Sequence, residues 1–415
     1  MKKVLALLTV SNLVFGQEIL QHFDLDKSNR YVGTTTYEFA IETLDETYRT
    51  LAMKDIKGDV TISGEPGNII QITEEVSIWA GSGMKAKSIF DDYRAQVNQL
   101  KDAGIIEIRG RGEWSARTAF EYNIIIPMQF NVSVSTAGGD IEADNITGET
   151  SLSTSGGEIS LANLVGKTTA RTSGGDIDVE NSEGSLELKT SGGDIQVEKL
   201  AGEVAAYTSG GDINIESVQG NVDVRTSGGE LWFRDIVGRK LVGITSGGSI
   251  EAGRITADLD LQTSGGDIEI DDLTGSIEAS TSGGDIEINI IYGNADVSTS
   301  GGDIVITGLR GSLRAKTSAG RLEIEKIWDR NFKEHSIDIV NDHGSIFLTL
   351  PVNFPSQIDA IVEHEISANV IDSDFPLTIT NKQNEVHGEG LYNNGTYSVK
   401  LRTSHGSITI ERGEK

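Results

Sequence analysis

Thr172-Ser173-Gly174-Gly175-Asp176-Ile177 recurs as Thr190–Ile195 and again as Thr208–Ile213, each copy eighteen residues after the last. Outward from these copies, the opening Thr falls at Thr136, Thr154, Thr172, Thr190, Thr208, Thr226, Thr245, Thr263, Thr281, Thr299 and Thr317. Every interval is 18 residues except Thr226 to Thr245, which is 19. A strict period of this length marks a stacked repeat, in which each unit buries its apolar face only against its neighbours.

With Thr as position 1, columns emerge. Position 6 is always Ile or Leu, from Ile141, Ile159 and Ile177 to Leu322. Position 11 is almost always apolar (Ile146, Leu164, Leu200, Ile236, Leu273, Leu309), and position 13 is Gly apart from Ala257. Positions 6 and 8 alternate with polar 5 and 7, and 15 and 17 with 14 and 16. That is the period of a strand, twice per unit. Gly-Gly at positions 3 and 4 makes one turn and the x-Gly at 12 and 13 the other, where backbone must take positive φ or approach its neighbour closely.

Side-chain volumes sharpen the picture. Pairs at positions 8 and 17 include Leu161 with Ala170, Val197 with Ala206, Phe233 with Gly243, and Ile270 with Ala279. Large generally meets small, as close-packed interiors require, so the two positions face each other across one core. The fold predicted is all-β: a single-chain parallel β-solenoid (β-helix) with 18-residue coils and two facing parallel sheets, rising about 4.8 Å per coil. One coil alone is unstable. Ordering its backbone costs about 1–2 kcal/mol per residue, whereas each buried apolar side chain returns about 1.5–3 kcal/mol.

Stacks of this kind need ends that stop further pairing. Residues 17–135 read as a β-rich N-terminal cap, 136–328 as the solenoid and 329–415 as an irregular β C-terminal cap. Within the first, Lys57-Gly58-Asp59-Val60 resembles half a repeat. Residues 85–102 read as an amphipathic helix, with Ile89, Phe90, Tyr93, Val97 and Leu100 on one face, placed as a lid over the first coil. Within the last, Asp342–Ile346 and Thr403–Ile408 echo the motif and bring His343 and His405 to equivalent positions.

Met1–Gly16 has the form of a secretory signal: Lys2 and Lys3, an apolar run from Val4 to Val10, and Val14-Phe15-Gly16 before Gln17. It is too short to span a bilayer, which takes roughly 20 apolar residues. The chain has no cysteine, hence no disulfide, lipidated Cys or thiolate metal site. These features predict an exported protein, periplasmic or at the cell surface and beyond, with no transmembrane segment. A net charge of −28 over 415 residues excludes nucleic acid, whose phosphates need clustered Lys and Arg, and disfavours anionic lipid.

The repeated Thr-Ser-Gly-Gly-Asp-Ile units at Thr172–Ile177, Thr190–Ile195 and Thr208–Ile213, Tyr122-Asn123-Ile124-Ile125-Ile126-Pro127 before the first repeat, and the closing Thr403–Ile408 resemble a bacterial putative adhesin family, a β-strand-repeat domain. The resemblance spans nearly all of the chain after the signal. It implies a β-repeat fold and a role in attachment at the cell envelope, and it carries no functional residues to transfer.

Two polar features stand out. The first is the acidic column at position 5: Asp140, Glu158, Asp176, Asp194, Asp212, Glu230, then Ser249, then Asp267, Asp285 and Asp303. Like charges one rung apart repel by roughly 0.9 kcal/mol in water, so something offsets them: turn amides donating to the carboxylates, or weakly bound divalent cations. The second is the irregular middle coil, where Trp232 sits outward among Arg225, Arg234, Arg239, Lys240 and Arg254. An exposed aromatic beside basic groups suits a glycan or an acidic partner; a tolerated bulge with balancing charge is the plainer account. No H-E-x-x-H, G-x-S-x-G or phosphate loop occurs. His343 and His405 suffice for stacking and not for a metal centre.

The function expected is an exported, non-enzymatic, monomeric scaffold without cofactor, presenting an acidic surface to a cell-envelope or extracellular partner, glycan or protein. A carbohydrate-active enzyme, a weak cation-binding surface protein and a self-assembling filament stay open. Carboxylates spread evenly along the array, without long loops, speak against the first, and capped ends against the last.

Overall fold

The computed structural model describes residues 17–25, 30–40, 50–100, 104–111, 117–364 and 368–413; the signal segment Met1–Gly16 lies outside them. The chain divides into two compact units, Met1–Thr208 and Ser209–Lys415.

In the first unit, strands Ile141–Asp144, Ile159–Ala162, Ile177–Glu183 and Ile195–Ala201 stack in parallel, with Ile141, Ile159, Ile177 and Ile195 in one register column. The facing sheet stacks Asn131–Thr136, Thr150–Ser153, Thr168–Arg171, Leu186–Lys189 and Val204–Tyr207. Positions 6 and 8 of one strand and 15 and 17 of the other are buried, and their neighbours face out. The second unit repeats the pattern from Ile213–Gln219 and Val222–Arg225 onward. Strands Leu231–Ile244 and Ile250–Gln262 each run through both sheets, and the extra residue is absorbed as a register shift between Val237 and Lys240. A Cβ added to Gly243 would lie 3.0 Å from the Phe233 ring. The bulkiest and slightest members of the series thus meet inside one core, as their volumes predict.

The Thr column explains itself. Thr172 Oγ1 donates to the Gly157 carbonyl of the preceding coil at 2.8 Å and accepts from Gly175 N–H at 3.4 Å. Thr190, Thr263, Thr281 and Thr299 repeat both bonds. The Gly at position 4 is needed because of close approach: a Cβ on Gly175 would stand 2.0 Å from the Gly157 oxygen. Position 3 is roomy, with nothing nearer than 3.8 Å at Gly174. At position 10 the backbone takes positive φ at Asn145, Asn163, Asn181, Lys199, Ser217, Asp235 and Arg254, a bend the glycine columns do not announce. Asn and Asp tolerate this region best.

Parallel stacking starts upstream of Thr136. Asp59–Glu65 pairs with Ile141–Asp144, setting Val60 against Ile141, and Thr50–Ile56 pairs with Asn131–Thr136. The half-repeat around Gly58 is therefore a rung, and Thr136 Oγ1 donates to the Gly58 carbonyl at 3.2 Å. On the far side of that rung lie Ile105–Arg109 and Thr118–Pro127. The chain thus lays down the second rung before the outermost one. The other end reverses that order, the outermost rung coming first: Tyr397–His405 and Ile408–Gly413 fill the space between Ile337–Pro351 and the earlier strands Ser356–Glu363 and Ile371–Ser373. A rung held on both edges cannot peel away without breaking two ladders.

The helix expected over 85–102 is shorter and placed differently. It runs Gly83–Tyr93, begins at Ser82, whose hydroxyl accepts from Lys85 N–H, and ends at Arg94, whose backbone is extended. Gln96–Leu100 is a strand, antiparallel to Ile105–Arg109. Val97 and Leu100, three apart, have helical spacing, yet pairing with Ile105–Arg109 wins; on the strand they point to opposite faces, Val97 half-buried and Leu100 exposed. The buried helix face is Ala86 and Phe90. It packs on an antiparallel sheet containing Arg30–Ala40 and Ile69–Trp79, where Phe90 occupies the space above Gly33.

Candidate functional site

The acidic column is joined rung to rung. Asp176 Oδ1 accepts from Asp194 N–H at 2.8 Å, Asp267 Oδ1 from Asp285 N–H at 2.8 Å, Asp285 Oδ1 from Asp303 N–H at 2.7 Å, and Asp212 Oδ1 from Glu230 N–H at 2.8 Å. Asp303 caps the series by accepting from Arg321 N–H at 2.7 Å. Where Ser249 interrupts the acids, its hydroxyl accepts from Asp267 N–H at 3.1 Å. A short acceptor is what the site needs. Among the described residues, no group of three or more Asp, Glu, His or Cys is arranged to hold a metal ion.

With Thr, Gly and Asp engaged in holding the corner, distinctive chemistry falls to the outward positions of the sheets. Trp232 and Arg234 come together there, at positions 7 and 9 of one strand. Trp232 is in register with Asn214 and Glu251, and Glu251 with Glu269. Between Arg234 and Asp271, position 9 is Gly253, and the missing side chain leaves a notch of about 320 Å³ lined by Trp232, Arg234, Glu216, Glu251, Glu269 and Asp271. Burial, reinforced by Glu287, Glu251 and Asp271, raises the Glu269 carboxyl above its ordinary range. Arg254 is bound through two nitrogens to Asp235 at 2.5 and 2.6 Å.

Lys240 is not part of this notch. It belongs to the facing sheet, where it pairs with Asp260 at 3.4 Å. Arg239 lies between, its amide donating to Asn221 Oδ1 at 3.3 Å. The basic cluster seen in sequence is thus divided between two surfaces, because residues six apart on Leu231–Ile244 fall on either side of its bend.

Lys240 opens a long groove of about 920 Å³ on that second face. Its floor is two outward columns: Asp258, Ser276, Asn294, Ser312 and Ser336 in one, and Asp260, Glu278, Asp296, Arg314, Asp338 and Lys400 in the other. Asp296 pairs with Arg314 at 3.5 Å, and Asp258 Oδ1 accepts from Ser276 N–H at 2.9 Å. Donors and acceptors therefore recur rung after rung. Sequence reading missed the groove because Ser and Asn at position 14 look like ordinary solvent-facing residues; the signal available was their small size in consecutive coils.

Two further groups were unforeseen. Glu74, only 1% exposed, accepts from Ala95 N–H at 2.8 Å and the Tyr122 hydroxyl at 3.2 Å, and burial pushes its carboxyl up to about 7. Lys326, where the chain leaves the repeat, donates to the carbonyls of Leu309, Arg310 and Gly311 at 3.3, 2.6 and 2.6 Å. Burial, with Arg310 nearby, pushes its ammonium down to about 7. His343 and His405 stack with ring centres 4.7 Å apart, as their positions suggest, and His364 joins them at 5.1 Å.

The family model for Toastrack DUF4097 matches residues 43–236 and 184–294, more than half of the chain. The chain belongs to the Toastrack family. That name fits a stack of parallel rungs and carries no assigned activity. A solved structure described as a putative cell adhesion protein from Clostridium sporogenes ATCC 15579 is 9% identical, covering 92% of this Toastrack chain and 100% of its own, at a TM-score of 0.16. Another, described as a putative lipid binding protein from Parabacteroides distasonis ATCC 8503, is 14% identical, covering 76% and 96%, at a TM-score of 0.24. Scores this low bear on neither function. No curated protein matches the chain.

Proposed function

We propose that this Toastrack protein is an exported, non-enzymatic, monomeric scaffold that binds an extended glycan of the cell envelope or the extracellular space along the groove between Lys240 and Lys400. The observation that carries the reading is the groove floor, which repeats hydrogen-bonding side chains at the rung spacing across six strands' worth of register. Rungs recur at about 4.8 Å, so a linear polyhydroxyl chain meets a new donor or acceptor at each step. A protein partner is a poorer fit, since stable interface centres are apolar and aromatic, and this floor is Ser, Asn, Asp, Glu, Arg and Lys. The ion pairs of Asp260 with Lys240 and of Asp296 with Arg314 favour binding over catalysis, because both carboxylates are already engaged by neighbouring side chains. Export rests on the Met1–Gly16 pattern.

Affinity electrophoresis against a panel of soluble linear polysaccharides tests this. Retardation by at least one neutral linear glycan is expected, and Ser312→Trp, which blocks the floor midway, abolishes it. Equal retardation of the parent chain and Ser312→Trp by every glycan on the panel, or none of either, defeats the reading.

A further inference from the structure

We propose that the notch at Gly253, on the sheet facing away from the groove, is a separate binding site for an amino sugar carrying a free ammonium group. The notch is built by one absent side chain. Position 9 carries Glu216, Arg234 and Asp271 on neighbouring rungs, whereas a Cβ on Gly253 would have only Asp271 Oδ2 near it, at 3.6 Å. The cavity falls at the lower end of the roughly 300–1,000 Å³ of small-molecule sites.

Its walls differ in kind. The half-buried indole of Trp232 makes no ring stacking, cation–π contact or hydrogen bond among the described residues. A flat, unoccupied aromatic face receives the C–H face of a sugar ring or a cation. Next to it in the same column stand Glu251 and Glu269, one rung apart, with neither an ion pair nor a hydrogen bond among the described residues, and across the notch Asp271, whose hydrogen bond is to the Asn289 amide at 3.2 Å. The local cations answer these charges only in part: Arg254 is paired with Asp235 and only secondarily attracted by Glu216 and Asp271, and the single Arg234 lines the notch beside Glu216, Glu251, Glu269 and Asp271. The notch therefore has an excess of negative charge that a bound ammonium offsets, beside a surface that a pyranose ring covers. A divalent metal suits it less well. Carboxylates one rung, about 4.8 Å, apart on a pleated sheet do not converge on a point, and the described residues include no metal-holding group.

Isothermal titration calorimetry on the full chain tests the assignment, with three probes: a β-1,4-linked glucosamine tetramer, its fully N-acetylated counterpart, and cellotetraose. The glucosamine tetramer is expected to bind at least tenfold more tightly than the other two. Gly253→Leu fills the notch without altering charge, and Trp232→Ala removes the platform; each is expected to weaken binding at least tenfold with the melting midpoint unchanged. Ser312→Trp on the other face is expected to leave this binding intact, so failure of the groove reading and of this one are told apart. Equal affinity for the acetylated tetramer, no binding, or undiminished binding by both Gly253→Leu and Trp232→Ala overturns the proposal; the last outcome means mere attraction of a polycation to an acidic surface.

Discussion

The T-S-G-G-D corner and the outward faces of the sheets hold the same kinds of polar residue and use them in opposite ways. At the corner, Thr281 is tied to Gly266 and Gly284, and Asp267 to Asp285, so the repeated side chains link one rung to the next. On the faces, Trp232 breaks a column of polar residues between Asn214 and Glu251, and Trp232, Glu251 and Glu269 leave their aromatic or polar groups available. The lesson is that the corner spends its repeated side chains on the stack itself, whereas the outward positions of the sheets keep groups to meet a ligand.

The largest effect expected at the corner comes from Gly175→Ala, which drives a methyl into the Gly157 oxygen at 2.0 Å. It should cost about 4 kcal/mol or more in urea unfolding, whereas Gly174→Ala one residue away stays within about 0.5 kcal/mol. Similar losses for both would erase the distinction between the two glycine columns. In the core, Phe233→Ala should cost about 3–5 kcal/mol. Combining Phe233→Leu with Gly243→Ala should be less damaging than the sum of the two changes by about 1 kcal/mol, and strict additivity would deny that the pair is in contact.

Glu74 sets a contrast in pH. Its carboxyl is raised from 4.5 to about 7, so its stabilising contribution is full below pH 4.5 and lost as the pH rises through 7. Relative to Glu74→Gln, the parent chain should lose on the order of 3 kcal/mol between pH 4.5 and 8; parallel melting curves would show that the group titrates normally. Thr281→Val keeps shape and removes two hydrogen bonds, for about 1–2 kcal/mol. Smallest is Asp176→Ala, which deprives Asp194 N–H of its acceptor, for about 1 kcal/mol. Asp176→Asn keeps the acceptor and relieves charge, so its midpoint should not fall. A calcium-dependent rise in the parent's melting point would instead favour cations along the column.

Much of the fold was legible because an 18-residue period, repeated in register, leaves one solution: every inward side chain meets its own copy one rung away. The volume pairing of Phe233 with Gly243 needed no coordinates. The helix was half legible: Phe90 reads correctly as buried, but Val97 and Leu100 have helical spacing, and only the pairing with Ile105–Arg109 decided for a strand. The candidate sites were the least legible. Trp232 and Arg234 were found by their oddity, while Gly253, which makes their notch, looked like one more glycine.

Sequence alone determined the rung length, the two sheets, the inward columns and the hydrogen-bonding corner, since each follows from contacts between a coil and its copy. Only the tertiary structure decided which rungs are neighbours at the ends, where Asp59–Glu65 and Tyr397–His405 are laid between strands distant in sequence. It likewise decided that Lys240 and Trp232 lie on different faces. Neither is set by a local period: the first depends on where long excursions return, and the second on a bend within one continuous strand.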